Sequence, residues 1–243
     1  MNTLALPLNQ IIQGNCLEVM RNFPDESIDL IIADPPYNLG QPYPFDNLTD
    51  EEYVEFNNAW LMECYRILKQ GRVAFVFNSQ KTMWNFKRIL DQTPFKFIQL
   101  LIWHYTNTIS SGKKPKYVWT LSFQPIFFLS KGAPTIDVYG KAFRAGIQRT
   151  DVWKFTACQS NFKKDDLKKI HISQKPLELV EYMVLSCSEE GEVVLDPFLG
   201  SGTTAVACKK LRRNYIGIEI DPSYCEMAKK RLAKVTQYRL LRD

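Results

Sequence analysis

The sequence predicts an α/β protein in which helices cover both faces of a doubly wound, mostly parallel sheet. Short apolar runs at 30–33, 72–77 and 193–195 are typical of strands that are buried on both sides. Helical patterns lie between such runs, as the crossover connections of a parallel sheet require. Over 193–220, a strand, a glycine turn, a helix and a second strand follow one another in the Rossmann-like order that binds nucleotides.

The length and composition are those of an ordinary globular chain. Its 243 residues allow one large domain, or one domain with an inserted subdomain. The first residues lack the basic region of a signal peptide, and no apolar stretch approaches membrane-spanning length, so we expect a cytoplasmic protein without membrane contact. The six cysteines form no C-x-x-C pair and only two histidines could join them, so we expect free thiols and no metal site.

The positive charge is concentrated in one segment. The net charge is +5, but residues 110–175 hold 13 Lys and Arg against 4 Asp and Glu. This concentration, interleaved with aromatic residues, favours a nucleic-acid partner, and a solvated lysine-rich surface is the alternative. We therefore treat 105–170 as a basic insertion between 1–104 and 171–243, which form one domain. Its candidate nucleic-acid contacts are Lys113, Lys114, Lys116, Arg144 and Arg149.

The part of the chain before residue 130 is predicted to alternate strands and helices. Thr49 and Glu52 form a capping box for a long helix, and Gly71 is expected to end it. The other elements predicted here are a short strand ending at 12, a helical turn at 17–23, strands at 30–33, 72–77, 95–104 and 123–129, and a helix at 82–91.

The later part resumes this alternation after 133–170, which shows no clean period. A helix is predicted to open at 174–176 and to end at Gly191. The remaining predicted elements are a strand at 193–195, a helix to 211 that Thr203 or Thr204 caps, a strand at 215–220, and a last helix that Asp221 caps.

The four residues after the strand at 30–33 form the first candidate site. Pro35 and Pro36 have fixed φ and no N–H, so their carbonyls can face outward beside Asp34 and Tyr37. Ligands bind at this carboxyl edge in open α/β sheets. The carboxylate, carbonyl oxygens and aromatic ring suit a planar ring that bears an amino group. The alternative is an ordinary strand ending in a proline-rich loop.

The second candidate site lies at 196–204 and Glu219. A glycine turn presents backbone N–H groups to a ligand, and the acid ending the next strand binds ribose hydroxyls. The turn reads G-S-G rather than G-x-G-x-x-G and no P-loop follows, which favours a nucleoside with a small charged tail, such as S-adenosylmethionine. Asp196 is placed to face the ammonium group of that ligand. The alternative is a plain glycine-rich loop.

These motifs resemble those of the amino-group DNA methyltransferases. Asp-Pro-Pro-Tyr at 34–37 precedes Asp-Pro-Phe-Leu-Gly-Ser-Gly-Thr-Thr at 196–204 and Tyr-Ile-Gly-Ile-Glu at 215–219, an order similar to the circularly permuted beta class. Weaker matches lie at 12–17, 151–153 and 171–176. The resemblance covers 10–80 and 150–235, and it is weak over 105–150, where the family varies with its recognition sequence.

The resemblance implies a circularly permuted S-adenosylmethionine-dependent methyltransferase fold that acts on double-stranded DNA, with 105–170 as the target recognition region. It implies methyl transfer to the N6 amino group of adenine, because an aspartate at the first position of 34–37 is typical of adenine enzymes. The carboxylate and the first proline carbonyl would accept the two N–H bonds of the amine, and the tyrosine would stack on a flipped base. A restriction-modification system, with a cognate restriction endonuclease, and a monomeric or homodimeric enzyme fit this family.

The residues implied for each role follow from these motifs. The implied catalytic residues are Asp34, Pro35, Pro36 and Tyr37. The implied cofactor-binding residues are Asn15, Cys16, Asp34, Lys175, Asp196, Phe198, Gly200, Ser201, Gly202, Thr203, Thr204 and Glu219.

The chain departs from the family pattern at two places, and two other functions stay open. Asn15 stands where the family usually has aspartate, and its amide can both accept from and donate to the cofactor adenine. His-Ile-Ser at 171–173 replaces the common His-Pro-Thr. The alternatives are an N4-cytosine DNA methyltransferase and a catalytically inactive nucleic-acid-binding module.

Overall fold

The structure, a computed structural model, describes residues 5–41, 44–107, 117, 119–137, 150–158 and 174–235. Its strands are β1 (Gln10–Gln13), β2 (Ile28–Ala33), β3 (Leu68–Phe77), β4 (Lys96–Tyr105), β5 (Phe123–Ser130), β6 (Val152–Phe155), β7 (Val193–Asp196) and β8 (Asn214–Glu219). Its helices are α1 (Cys16–Met20), α2 (Asp50–Ile67), α3 (Met83–Leu90), α4 (Leu177–Cys187), α5 (Thr203–Lys210) and α6 (Pro222–Ala233).

The described strands form one sheet in the order β1-β8-β7-β2-β3-β5-β4-β6. Its pairs are parallel except where β5 pairs with β3 and with β4. Successive side chains of β2 enter two different cores, because Leu30 and Ile32 pack with α4, α5 and α6, whereas Ile31 and Ala33 pack with α1, α2 and α3. The predicted doubly wound, mostly parallel α/β fold is confirmed.

Two helix beginnings follow the sequence signals. Thr49 accepts a hydrogen bond from the Glu52 backbone N–H over 3.2 Å, and the Glu52 carboxylate accepts from the Thr49 N–H over 2.9 Å, so the capping box is confirmed. Asp221 accepts from the Ser223 N–H over 2.7 Å and is the N-cap of α6, as predicted. Short side chains that satisfy free N–H groups are therefore readable from the sequence alone.

The predicted end of α2 at Gly71 is wrong. The helix ends at Ile67, and β3 begins at the next residue. Gly71 lies within β3 with a φ of +72°, in the bulge where the register with β2 shifts. A Cβ there would lie 2.5 Å from Thr135 Cγ2, so the glycine serves a bulge and a close contact rather than a helix end.

The predicted end of the helix that opens at 174–176 is wrong as well. This helix, α4, ends at Cys187, and the Ser188 hydroxyl donates to the Val184 carbonyl over 2.5 Å. The Arg213 guanidinium also donates to the Ser188 carbonyl, over 2.7 Å. These bonds satisfy groups at the helix end, so Gly191, with a φ of +83°, only shapes the turn into β7.

Two described parts of the basic insertion belong to the main sheet. Strand β5 lies between β3 and β4, and β6 pairs in parallel with β4 through the register Trp103↔Trp153. The sequence shows no period near β6 because the strand has only four residues. No helix within the described residues is long and apolar enough to cross a membrane.

Candidate active site

Neighbouring strands bring the two candidate sites to the same edge of the sheet. Strands β2 and β7 pair in parallel with Leu30 opposite Val194 and Ile31 opposite Leu195. Asp34 follows the last residue of β2, and Asp196 is the last residue of β7. The carboxyl ends of both strands therefore present an aspartate side by side, although 162 residues separate the two in the chain.

The last strand joins this edge through β1. Gln13 lies opposite Glu219 in the parallel β1–β8 pair, and the Gly14 N–H donates to the Glu219 carbonyl over 2.9 Å. Asn15, the N-cap of α1, accepts from the Leu17 N–H over 2.9 Å. The turn after β1 thus lies beside the acid at the end of β8.

A shared cavity is lined by residues of both candidate sites. It also contacts Phe77, Val180 and Tyr224, which no sequence motif singled out. The sequence-predicted residues that line it are Asn15, Cys16, Asp34, Pro35, Pro36, Tyr37, Lys175, Asp196, Phe198, Gly200, Ser201, Thr203, Thr204 and Glu219. Of the predicted acceptor and cofactor residues, only Gly202 is outside this lining.

Both oxygens of the Asp34 carboxylate are engaged. The Tyr37 hydroxyl donates to Oδ1, and the Lys175 ammonium forms an ion pair with Oδ2. Lys175 Nζ also lies 4.9 Å from the centroid of the Phe77 ring. Gln124 Nε2 donates to the Tyr37 hydroxyl over 2.6 Å. These contacts orient the carboxylate, and each of its oxygens keeps a further lone pair for a ligand.

Burial and charge keep the Tyr37 hydroxyl protonated. Burial raises the pKa of Tyr37 well above its usual range, and the neighbouring Asp34 charge raises it further. Burial, followed by the same charge, raises the pKa of Tyr105 to about 12. Two neutral hydroxyls therefore lie near a carboxylate that can only accept hydrogen bonds while it is ionised.

The glycine turn is tied to the acid at the end of β8. Glu219 Oε2 accepts from the Gly200 N–H over 2.7 Å, and Oε1 accepts from the Asp221 N–H over 2.9 Å. Burial raises the pKa of Glu219, against these backbone bonds, which lower it. Gly202 has a φ of +83°, and a Cβ on it would lie 2.6 Å from Ala228 Cβ, so its packing against α6 already requires glycine.

Asp196 is buried between the turn and the helix that follows it. It accepts from the Thr204 hydroxyl over 2.6 Å and from the Phe198 N–H over 3.0 Å. Burial raises the pKa of Asp196 to about 7. Within the described residues no Lys, Arg or His forms an ion pair with it. The site therefore holds a carboxylate that a cationic ligand would stabilise.

The predicted capping role of Thr203 or Thr204 is wrong. The N-cap of α5 is Gly202, and it makes no side-chain capping bond. The Thr204 hydroxyl is directed to Asp196, and the Thr203 hydroxyl donates to the Lys175 carbonyl over 3.4 Å. Both threonines thus connect the turn to other walls of the cavity.

A buried aspartate that the sequence did not indicate shapes the loop after Tyr37. Asp46 accepts from the N–H groups of Asn38, Leu39 and Gln41 over 2.7–3.2 Å. Phe45 beside it stacks on Phe56 with the ring centroids 4.7 Å apart. An aspartate in a loop rich in glycine and proline is too common a pattern to mark this role in advance.

Gln124 was also missed, and no local pattern could have revealed it. It lies at the second position of β5, in an ordinary apolar strand, and contacts Tyr37 only because β5 returns beside β3. Cys16 lines the cavity, but burial raises the pKa of its thiol to about 12, which disfavours a nucleophilic role.

The predicted nucleic-acid contacts Lys113, Lys114, Lys116, Arg144 and Arg149 lie outside the described residues. Beside them, the described stretch before β5 exposes large aromatic rings. Tyr117 is 88% exposed and Trp119 is 92% exposed. The Tyr105 N–H donates to the Ser122 carbonyl over 2.8 Å, which joins this stretch to the carboxyl end of β4.

Comparison with known proteins identifies the family. A sequence profile described as DNA methylase matches residues 28–230, which span both candidate sites. The chain belongs to the DNA methylase family. Its beta-class, amino-group type is supported by the same match and by type II methyltransferase relatives.

The methylase has relatives along nearly its whole length. It is 39% identical over 238 residues to the type II methyltransferase M.HpaI of Haemophilus parainfluenzae, covering 92% of this chain and 74% of the relative. It is 33% identical over 250 residues to M.HinfI of Haemophilus influenzae, covering 94% of this chain and 69% of the relative. It is 30% identical over 247 residues to M2.MboI of Moraxella bovis, covering 93% of this chain and 88% of the relative.

Solved structures share the fold of the methylase. The PvuII DNA methyltransferase, described as cytosine-N4-specific, superposes with a TM-score of 0.78 at 23% identity, over 93% of this chain and 88% of that one. The M1.HpyAVI–SAM complex superposes with a TM-score of 0.65 at 24% identity, over 92% of this chain and 99% of that one. At these identities the likeness shows the fold.

Proposed function

We propose that this methylase transfers a methyl group from S-adenosyl-L-methionine to the N6 amino group of adenine in double-stranded DNA, as the modification enzyme of a restriction-modification system. The observation that carries the proposal is the shared cavity, in which Asp34 faces the same space as Gly200 and Ser201 of the glycine turn. Type II methyltransferase relatives support the DNA substrate and the link to a cognate restriction endonuclease.

The cavity fits this cofactor by the chemistry of its lining. The buried Glu219 carboxylate suits ribose hydroxyls, as the acid at the end of the second strand does in nucleotide-binding folds. Asp196 suits the cationic methionine end, because its carboxylate is buried without a basic partner among the described residues. S-adenosyl-L-methionine would supply an electrophilic methyl group. The M1.HpyAVI relative was solved with this molecule.

Asp34 and the Pro35 carbonyl would act on the acceptor amine. Accepting its two N–H bonds would favour a pyramidal nitrogen whose lone pair points away from the base ring. Positioning of this kind supplies much of the acceleration in such transfers. Asp34 need not be a strong base, because the methylated amine would carry a positive charge and release a proton readily. Tyr37 and Lys175 orient the Asp34 carboxylate.

The DNA would contact the chain at the same edge of the sheet. An adenine inside a duplex cannot reach this cavity, so the base must be extruded, at a cost of a few kcal/mol. The exposed Tyr117 and Trp119 rings, next to the lysines at 113–116, suit stacking and phosphate contacts. We propose that the loops of 105–170 form the target recognition region.

The choice of adenine rests on the aspartate that opens the tetrapeptide at 34–37. N4-cytosine is the second candidate, because its amino group has the same two N–H bonds and the PvuII relative in fold is described as cytosine-N4-specific. An inactive nucleic-acid-binding module is the third, and the complete cavity argues against it.

One assay separates the three candidates. Purified protein is incubated with unmethylated genomic DNA and S-adenosyl-L-methionine tritiated in the methyl group, and the DNA is digested to nucleosides. We expect the label in N6-methyldeoxyadenosine. Label in N4-methyldeoxycytidine would favour the second candidate, and DNA binding without label would favour the third.

A further inference from the structure

The Tyr37 hydroxyl joins two parts of the chain that are distant in sequence. Gln124, on β5, donates to it over 2.6 Å, and the hydroxyl donates to Asp34. Gln124 lies 87 residues from Tyr37, within the basic insertion and outside both sequence motifs. Tyr37 and, through it, Asp34 are therefore contacted by the segment that we propose as the target recognition region.

Chemistry fixes the direction of this hydrogen-bond chain. An ionised carboxylate only accepts, a tyrosine hydroxyl has one proton, and an amide nitrogen only donates. When Gln124 donates to the hydroxyl oxygen, the single Tyr37 proton is free to point at Asp34. If the amide were flipped, its oxygen and the Asp34 carboxylate would both need the single Tyr37 proton. The orientation of the Gln124 amide therefore determines where that proton points.

The Asp34 carboxylate is held at both ends as a result. Tyr37 binds Oδ1 and Lys175 binds Oδ2, so rotation about the Cβ–Cγ bond would break one contact or the other. A carboxylate oriented in this way can aim its remaining lone pairs at an amine. Loss of the Gln124 donor would remove one of the two hydrogen bonds that hold the Tyr37 hydroxyl, and so loosen its contact with Asp34.

We propose that Gln124 is a positioning residue for methyl transfer, which acts through the Tyr37 hydroxyl on the orientation of Asp34. The inference rests on the proposed function. Gln124 lies two residues after the stretch 117–122, so it also connects the segment proposed to contact DNA with the carboxylate that would receive the amine.

A double-mutant cycle tests this pathway. Gln124→Met keeps the side-chain length and removes the amide donor, and we expect the single-turnover methyl-transfer rate at saturating cofactor and DNA to fall about tenfold. The dissociation constants of both substrates should change by less than about twofold, because the amide acts on the transfer step. In a Tyr37→Phe background, Gln124→Met should have no further effect on the rate.

Two further variants keep the test independent of folding. Gln80 Nε2 donates to the Phe123 carbonyl over 2.8 Å, one residue from Gln124, so Gln80→Met is a matched loss of a part-buried amide bond. We expect it to lower the melting temperature without slowing transfer. Gln124→Glu should transfer more slowly than Gln124→Met at neutral pH and recover as the pH falls, because a protonated carboxyl can again donate to Tyr37.

The outcomes are distinct. The inference is overturned if Gln124→Met slows methyl transfer equally in proteins with Tyr37 and with Tyr37→Phe. It is also overturned if Gln124→Met changes only the dissociation constants and not the transfer rate. The inference is overturned as well if Gln80→Met slows methyl transfer as much as Gln124→Met does. Any loss of stability near β5 would then be enough to slow the transfer. Absence of methyl transfer by the unmodified protein overturns the proposed function, and this inference with it.

Discussion

The Asp34 carboxylate is satisfied by two donors of different kinds, a neutral hydroxyl and an ammonium group. The ammonium of Lys175 balances the charge of the carboxylate, and the hydroxyl of Tyr37 fixes its plane. A group held in this way is suited to accept hydrogen bonds from an amine rather than to take a proton from it. This is the chemistry that the methyl transfer we propose requires.

The acid at the end of β8 gives the first prediction. Glu219→Ala should weaken cofactor binding more than DNA binding, because we propose that the carboxylate binds ribose hydroxyls, and it also fixes Gly200 and Asp221. Isothermal titration with S-adenosyl-L-methionine measures the dissociation constant. Glu226→Ala, which removes an exposed carboxylate paired with Lys229, is the matched control. An unchanged dissociation constant for Glu219→Ala would count against the ribose contact.

Asp196 predicts a pH dependence. Burial raises its pKa to about 7, so in the folded protein the group keeps its proton over a range where the unfolded chain has lost it, and its contribution to stability falls as the pH rises from about 4 to about 7. A bound cation favours the charged form and lowers this pKa. Cofactor affinity should therefore increase as the pH rises through about 7.

The variant Asp196→Asn separates the pH dependence due to Asp196 from that due to titration of the cofactor itself. Asp196→Asn should bind the cofactor more weakly and lose the part of the pH dependence that the carboxyl contributes, whereas the titration of the ligand's own amino group stays. Dissociation constants of both proteins across neutral pH give the comparison. Identical pH profiles would exclude Asp196 as the titrating group.

The sequence could predict the positions of some side chains in the site but not of others. Asp196 and Glu219 end strands and Asp34 follows one, and strand ends are visible where apolar runs stop. Gln124 and Asp46 contact the site only through strand pairing and loop closure, and neither leaves a local pattern. The same holds for the threonines of the glycine turn, whose hydroxyls are directed to Asp196 and the Lys175 carbonyl instead of a helix cap.

The turn between β7 and α5 depends on a close contact between two helices. Gly202 combines a left-handed φ of +83° with a position 2.6 Å from Ala228 Cβ, measured from a Cβ placed on the glycine. The side chain of any other residue would push α5 away from α6. The turn that faces the cavity is therefore shaped by the packing behind it.

This close approach gives a prediction with a built-in comparison. Gly191 has the same φ of +83° with no atom within 4 Å of a Cβ placed on it. Gly191→Ala should lower the free energy of unfolding by about 1–2 kcal/mol, the cost of the backbone conformation alone. Gly202→Ala should lower it by about 2–5 kcal/mol, because overpacking adds to that cost. Equal losses in urea unfolding would refute the steric contribution.

The starts of α2 and α6 and the buried strands could be predicted because their caps and apolar runs are local. The end of α2 could not, since Gly71 is required by a bulge against β2 and by Thr135, both distant in sequence. Strand β6 was missed because its four residues derive their conformation from pairing with β4. Short edge strands of this kind are set by their neighbours rather than by their own composition.

The molecule brings its first and last segments together in one sheet. Strand β1 pairs with β8, and β2 pairs with β7, so motifs near the two termini line the same cavity. The sequence predicted this arrangement through the family resemblance and the rule that ligands bind at carboxyl ends of parallel strands. It could not predict that β5 and β6 of the basic insertion complete the sheet.

The uneven charge predicts how the molecule holds DNA. Deleting 108–116 removes Lys113, Lys114 and Lys116 and should weaken DNA binding more than cofactor binding. The slope of log affinity against log salt should decrease by roughly 0.9 for each phosphate that the protein no longer neutralises. Replacing only the three lysines with glutamine keeps the loop length and should give the same change in slope. A larger loss of cofactor affinity than of DNA affinity would remove the case for a DNA-facing loop.

The central claim is that Asp34 and the glycine turn at 200–202 form one site, in which an extruded amine meets the cofactor. The most direct test is the single-turnover methyl-transfer rate of Asp34→Ala at saturating DNA and cofactor, with folding checked by thermal unfolding. We expect the rate to fall by at least about 100-fold, because the amine loses its principal acceptor. A folded Asp34→Ala protein that transfers the methyl group at a rate close to that of the unmodified enzyme would contradict the account.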